Sequence, residues 1–303
     1  MTGEFAVIDR LRRMLPGPPE GETWIGDDAA VVSPPRGGLL LTADAVVEGV
    51  HVDLRLLRLD DVGWKAVSVS VSDVAAMGCR PLYALITVCG PPDTDIELLY
   101  AGVAEAVAAY DCPVVGGDLV SAPQLAVSVA VAGETAHRAP VLRTGARPGD
   151  RVFVTGRLGG SAAGLRLLRS GAAKADHPLA LAHRRPVARL PEGRAARAAG
   201  ATAMVDVSDG LASDIGHLLD ASRVGVTLDH VPVAGGATLD DALGGGEDYE
   251  LVFTSSDPAR VAATFAEAGL RQPIGIGYCT ADPAQRLLDG APLPDAGWRH
   301  QFR

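Results

Sequence analysis

Apolar and polar positions alternate most regularly over residues 125–131, where Leu125, Val127, Val129 and Val131 are separated by small residues. A period of two predicts a β-strand with one buried face. Shorter apolar runs at Leu39–Thr42, Leu82–Val88 and Pro113–Val115 predict further strands. A helical period organises Glu4–Met14, with Phe5, Ile8 and Leu11 or Leu15 on one side, and Asp95–Tyr110, which opens on Thr94 or Asp95 as its cap. Beyond residue 150 the same reading gives strands at Arg151–Thr155, Met204–Val207, Val226–Leu228, Tyr249–Thr254 and Ile274–Tyr278. It gives helices at Ser161–Ser170, Leu211–Ala221 and Pro258–Ala268. The Ala- and Arg-rich tract 172–200 reads as helical pieces broken at Pro178, Pro186 and Pro191.

Two periods compete over Asp61–Gly78. Val67, Val69 and Val71 alternate with serines as in a strand, whereas Val62, Ala66, Val69 and Asp73 share one helical face. Period alone favours the strand; the small residues before Gly78 suit a tightly packed helix that stops at that glycine.

The chain has 303 residues, 48% hydrophobic and 21% charged, enough for a sizeable core and two domains. The turn-rich stretch Arg143–Asp150 marks the boundary, giving domains at residues 1–140 and 149–303. No stretch approaches the roughly 20 uninterrupted apolar residues of a membrane span, and the first residues carry no signal-peptide pattern. The expectation is a cytoplasmic protein with no membrane partner. A formal charge of −10, with Lys65 and Lys174 the only lysines, argues against a nucleic-acid partner. The four cysteines have no C-x-x-C spacing and read as free thiols.

Chemistry concentrates at acidic junctions. Asp27 and Asp28 stand side by side before an apolar run, and adjacent carboxylates on a turn are best relieved by a hard cation such as Mg²⁺ or Ca²⁺. Asp44, Asp73, Asp118, Asp206 and Asp209 each follow an apolar stretch, which predicts an Asp wherever a hydrophobic element runs out. One such Asp is an ordinary cap or turn residue; several on one cleft would make a polymetal phosphate site.

Seven motifs in order, GDDAAVV (26–32), TADAVVEGVH (42–51), SVSDVAAMGCRP (70–81), VVGGDLV (114–120), RTGARPGD (143–150), VDVSDGLASDIGH (205–217) and GGEDYELVF (245–253), resemble the thiamine-monophosphate kinases of the aminoimidazole-ribonucleotide-synthetase-like superfamily. The resemblance spans nearly the whole chain. It implies a two-domain α/β and α+β fold: an N-terminal metal- and nucleotide-binding domain whose sheet forms a dimeric β-barrel with a second copy, and a C-terminal α+β domain. It also implies that Asp61–Gly78 is a helix. Position by position it implies metal binding by Asp28, Thr42, Ala43, Asp44, Asp73, Asp118, Asp206 and Asp209. Gly117, Asp118, Arg143 and Ser208 would contact ATP, and His51, Glu247 and Trp298 the thiamine substrate. Thr42-Ala43 departs from the family's usual Ser-Thr, and Trp298 stands where a Tyr is common.

The implied activity is ATP-dependent phosphorylation of thiamine monophosphate to thiamine diphosphate, with several Mg²⁺ ions and no catalytic base or covalent nucleophile. Bland alternatives exist for single residues: a surface histidine at 51, an ordinary turn at 247, a core-filling indole at 298. Two other function classes compete. A dinucleotide oxidoreductase is prompted by Gly156, Gly159, Gly160 and Gly164 after a strand, but the spacing is not G-x-G-x-x-G. A non-catalytic calcium- or nucleotide-binding module is prompted by the acidic loops, but Asp206-Val207-Ser208-Asp209-Gly210 lacks the later ligand positions of an EF-hand loop.

Overall fold

The structure is a computed structural model that describes residues 4–172, 174 and 176–299. The chain divides into two compact units. One comprises residues up to Val74 with Arg80–Arg138, the other Ala75–Cys79 with Ala139 onward.

In the first unit the elements run α1 (Glu4–Met14), β1 (Leu39–Val47), α2 (Leu59–Ala76), β2 (Arg80–Gly90), α3 (Ile96–Tyr110), β3 (Val114–Ser121) and β4 (Ala126–Glu134). The sheet order is β1-β4-β2-β3, with β2–β3 parallel and the other pairs antiparallel. Val127, Val129 and Val131 lie opposite Val88, Ile86 and Ala84 in register, and all six are buried. The opposite face stays open: Leu39, Leu41, Leu85 and Val120 are all exposed, Leu41 by 71%. This sheet has free edges at β1 and β3 and is not a closed barrel by itself.

The 61–78 segment is helical, as the resemblance implied and against its alternation. It is covered on two sides, so its serines are as buried as its valines. Ser70 donates its hydroxyl to the Val129 carbonyl at 3.0 Å, and Ser68 shares a hydrogen bond with Tyr110 Oη at 2.9 Å. Gly78, at φ +64, follows as the stop. α3 is capped by Asp95, whose side chain accepts from the Leu98 N–H.

Three acidic residues are not where apolar elements end. Asp44 lies inside β1, Asp118 inside β3 and Asp73 inside α2. The ladders explain the first two: β1 pairs with β4 without interruption from Leu39 to Val47, and β3 continues through Gly116-Gly117-Asp118 against β2.

The second unit contains β5 (Arg151–Val154), α4 (Gly160–Arg169), α5 (Pro178–Arg184), α6 (Leu190–Ala198), β6 (Ala203–Asp206), α7 (Leu211–Ser222), β7 (Gly225–Leu228), α8 (Leu239–Gly244), β8 (Leu251–Ser255), α9 (Pro258–Glu267), β9 (Ile274–Thr280), β10 (Arg286–Leu288) and β11 (Ala291–Pro292). Its sheet runs β11-β10-β7-β9-β5-β8-β6 over a core that includes Val152, Val205, Leu218, Val252 and Ile276. Pro178 and Pro191 open helices, sitting in first turns where the missing N–H costs nothing. The short α8, β10 and β11 are absent from the sequence reading; α8 owes its start to a capping box between Thr238 and Asp241. Among the described residues no helix is long and apolar enough to cross a membrane.

Candidate active site

In the first unit the acidic loop is closed by a two-way bridge: Thr23 and Val31 exchange backbone hydrogen bonds at 2.9 and 2.7 Å around Gly26-Asp27-Asp28. Glu22 fastens the loop. Its carboxylate accepts from the Ser33 N–H at 3.0 Å, Trp24 Nε1 at 2.8 Å and Tyr83 Oη on β2 at 2.9 Å. The hydrogen bonds from Ser33 are the main reason its pKa is held down to about 2, against the opposing effect of burial. Sequence reasoning missed Glu22, because two of its partners, Ser33 and Tyr83, lie 11 and 61 residues away along the chain.

Asp28, Thr42, Ala43, Gly117 and Asp118 line one cleft of about 1320 Å³, alongside Arg12 of α1. Gly117 is required by close approach, since a Cβ there would fall 1.8 Å from the Ile86 carbonyl oxygen of β2. The Asp118 carboxylate accepts from the Leu119 N–H at 2.9 Å. Thr42 donates its hydroxyl to Asp73, tying β1 to α2. Asp44, Asp73 and His51 are not among the residues lining the cleft. His51 follows β1 in a turn fixed twice: its Nδ1 accepts from the Val47 N–H at 3.1 Å, and its carbonyl accepts from the buried Lys65 Nζ at 3.2 Å.

In the second unit β6 delivers Asp206, and the next four residues turn into α7. Asp214, one turn into α7, accepts from the Asp209 and Gly210 N–H groups at 3.0 and 3.1 Å. Its pKa is pushed up to about 8, first by burial and then by the negative charges of Asp206 and Asp209. The GGEDYE segment lies along this turn, with the Glu247 N–H on the Ser208 carbonyl at 2.7 Å and the Tyr249 N–H on the Val207 carbonyl at 2.9 Å. Glu247 and Tyr249 both hold left-handed backbone angles, φ 58° and 50°, uncommon for residues with a Cβ. The Trp298 N–H donates to the Asp209 carbonyl at 3.0 Å. Asp206, Ser208, Asp209, Glu247 and Trp298 thus form one backbone-linked assembly. Trp298 is 53% exposed, which removes the core-filling alternative.

Arg143 lies apart from that assembly. Its carbonyl accepts from Ser222 at the last residue of α7, and the neighbouring Leu142 carbonyl accepts from the Met204 N–H at the start of β6. The glycine turn that prompted the dinucleotide alternative is already filled: Asp248 accepts from the Gly159 and Ser161 N–H groups at 2.6 and 3.1 Å, at the start of α4. An anion-binding helix start occupied by a buried carboxylate has no room for a pyrophosphate. Burial, more than any other influence, raises the Asp248 pKa to about 6.

Among the described residues no group of three or more His, Cys, Asp or Glu is close enough to hold a metal ion unaided. The donors in both units are oxygens, with the carboxylates of Asp28 and Asp118 in the first and of Asp206 and Asp209 in the second. That chemistry fits a hard ion that keeps waters and shares its shell with phosphate oxygens.

Residues 26–135 match the AIR synthase related protein N-terminal domain and residues 147–290 its C-terminal domain. A thiamine-monophosphate kinase of Aquifex aeolicus (strain VF5) is 40% identical, over 98% of this chain and 98% of its own. The chain belongs to the thiamine-monophosphate kinase family. The crystal structure of a thiamine-monophosphate kinase from Stenotrophomonas maltophilia K279a superposes with a TM-score of 0.82 at 34% identity, covering 95% of this chain and 97% of that one. A structure of AaThiL complexed with AMPPCP and TMP does so at 0.77 and 35%, covering 99% and 97%. Family membership accounts for the two-domain AIR-synthase-like fold seen here.

Proposed function

We propose that this chain is a cytoplasmic kinase that transfers the γ-phosphoryl group of ATP directly onto the phosphate of thiamine monophosphate, yielding thiamine diphosphate. The observation that carries this reading is the backbone-linked assembly of Ser208, Asp209, Glu247 and Trp298, in a chain 40% identical to a kinase named for that substrate. On this reading residues 1–140 serve metal binding, nucleotide binding and dimerisation, and residues 149–303 form the α+β domain.

Asp28, Thr42, Ala43, Asp44, Asp73 and Asp118 in the first unit, and Asp206 and Asp209 in the second, are the oxygen donors that would hold Mg²⁺. Ala43 has only its carbonyl to offer. Bound Mg²⁺ supplies charge neutralisation between two phosphate chains. Gly117 gives the nucleotide close backbone access, and Asp118, Ser208 and Arg143 would contact it; a guanidinium suits a phosphate bidentately. His51, Glu247 and Trp298 would hold the thiamine moiety. No base is needed, because a phosphate monoester with a second pKa of about 6 is already mostly ionised at neutral pH. The barrier lies in bringing polyanions together: two unit charges about 4 Å apart repel by about 4 kcal/mol at an effective dielectric near 20. Purified protein given γ-labelled ATP, Mg²⁺ and thiamine monophosphate should make labelled thiamine diphosphate. Label surviving denaturation on the protein would instead indicate a phosphoenzyme.

Trp298 presents an exposed indole for the cationic thiazolium or the pyrimidine, an attraction of about 0.5–2 kcal/mol. Trp298→Ala should therefore raise KM for thiamine monophosphate roughly three- to thirtyfold, with KM for ATP and the melting point little changed. An unchanged KM for thiamine monophosphate would remove Trp298 from the site.

The open apolar sheet face carrying Leu41, Leu85 and Val120, of which Leu41 and Leu85 also line the cleft, is read as the surface on which a second copy completes a β-barrel, so that the partner would border the cleft. Sedimentation equilibrium should give twice the mass of one chain, and Leu85→Asp should give a single chain. A monomeric parent protein would rule out this arrangement.

A further inference from the structure

The two acids of GGEDYE do different work. Asp248 caps α4 through the Gly159 and Ser161 N–H groups. Glu247 reaches α5 instead, where its Oε2 lies 3.2 Å from Nδ1 of His183. The same Nδ1 is 3.0 Å from the Ser161 hydroxyl, and both Ser161 and His183 are buried, at 1% and 3% exposure. α4 and α5 meet backbone to backbone: a Cβ on Gly164 would fall 1.9 Å from the Leu179 carbonyl oxygen, so this corner cannot shift freely. The Glu247 side chain keeps 23% exposure, leaving it partly open to a ligand.

A carboxylate accepts only, so His183 can bond Glu247 through Nδ1 when that nitrogen carries a proton. Carboxylate is a stronger acceptor than hydroxyl and thereby selects the Nδ1–H tautomer. Backbone and side chain of Glu247 are then both pinned, the first by its N–H on Ser208 and the second by His183.

We propose that His183, backed by Ser161, is a positioning residue that fixes the Glu247 carboxylate for the nitrogen-bearing rings of the substrate. This rests on the reading of Glu247 as a thiamine-contacting residue. A held carboxylate loses no rotamer freedom when substrate arrives, so the effect falls on substrate affinity and not on the nucleotide.

The test is steady-state kinetics on the full chain, varying thiamine monophosphate and ATP separately. His183→Ala should raise KM for thiamine monophosphate about tenfold, the usual scale for losing one hydrogen bond to a charged group, with KM for ATP within about twofold. Two conservative variants separate positioning from packing. Asn carries its amide near the Nδ1 position and Gln near Nε2, while Gln is closer to His in size. Positioning predicts that His183→Asn restores KM and His183→Gln does not; packing predicts the reverse, and that result would overturn the proposal. It holds even if His183→Ala fails to fold. In a Glu247→Ala background, His183→Gln should have no further effect on KM. If Glu247→Ala raises KM while no His183 variant does, His183 has no positioning role. If Glu247→Ala itself leaves KM unchanged, the assignment of Glu247 fails instead.

Discussion

Asp118→Asn and Asp44→Asn should each remove nearly all turnover, and Asp118→Asn should leave the melting point almost where it was. Asp118 is exposed in the cleft, and its one hydrogen bond within the fold, from the Leu119 N–H at 2.9 Å, can be accepted equally by an amide oxygen. Asp44 sits mid-strand opposite Val129 in the β1–β4 ladder. The fold therefore has little reason to respond to Asp118→Asn. The reaction has every reason to, if these carboxylates hold cations beside polyphosphate: a lost unit charge about 4 Å from a cation is worth near 4 kcal/mol at an effective dielectric of 20, or roughly a thousandfold in rate. Turnover at saturating Mg²⁺ and thermal melts on the same preparations are the measurements. Substantial activity in either variant would sink the metal assignment of that residue.

Gly102→Ala should lower the melting temperature by several degrees, although Ala is the better helix former. α2 and α3 approach so closely that a Cβ on Gly102 would lie 1.7 Å from the Asp60 carbonyl oxygen, and one on Gly63 would lie 2.0 Å from that of Leu99. Both obstacles are backbone, so neither yields by a rotamer change. Helix propensity favours Ala by about 1 kcal/mol, whereas forcing extra volume into a packed contact costs about 1–3 kcal/mol and more where backbone must move. The clash wins. With a net cost of about 1–2 kcal/mol and about 2–4 °C per kcal/mol, a fall of roughly 2–8 °C is expected. Gly235→Ala is the control, because nothing lies within 4 Å of its added Cβ. A melting temperature equal to or above the parent's would show that the helices part at no cost. Displacing α2 should also reduce activity, since α2 carries Asp73, bonded to Thr42, and Lys65, bonded to the His51 carbonyl.

Local pattern determined much of this protein. Period two at 125–131 became β4, the capped helical period at 95–110 became α3, and the seven ordered motifs carried the family and with it the helical nature of 61–78. Each of these signals is contained within a short window of sequence. Other features depended on contacts between windows. Alternation in α2 pointed the wrong way because a helix covered by both β4 and α3 has no polar face, and Ser70 and Ser68 find their partners in Val129 and Tyr110. Asp44 and Asp118 read as element ends because a ladder that carries polar residues onward leaves no mark on either strand alone. Glu22 and His183 went unnoticed for the same reason: neither sits in a periodic or motif context, and each gains its role from partners many residues away. The residue types of the candidate site are written in the chain, but a hydrogen bond between distant segments exists only once folding has brought donor and acceptor within about 3 Å.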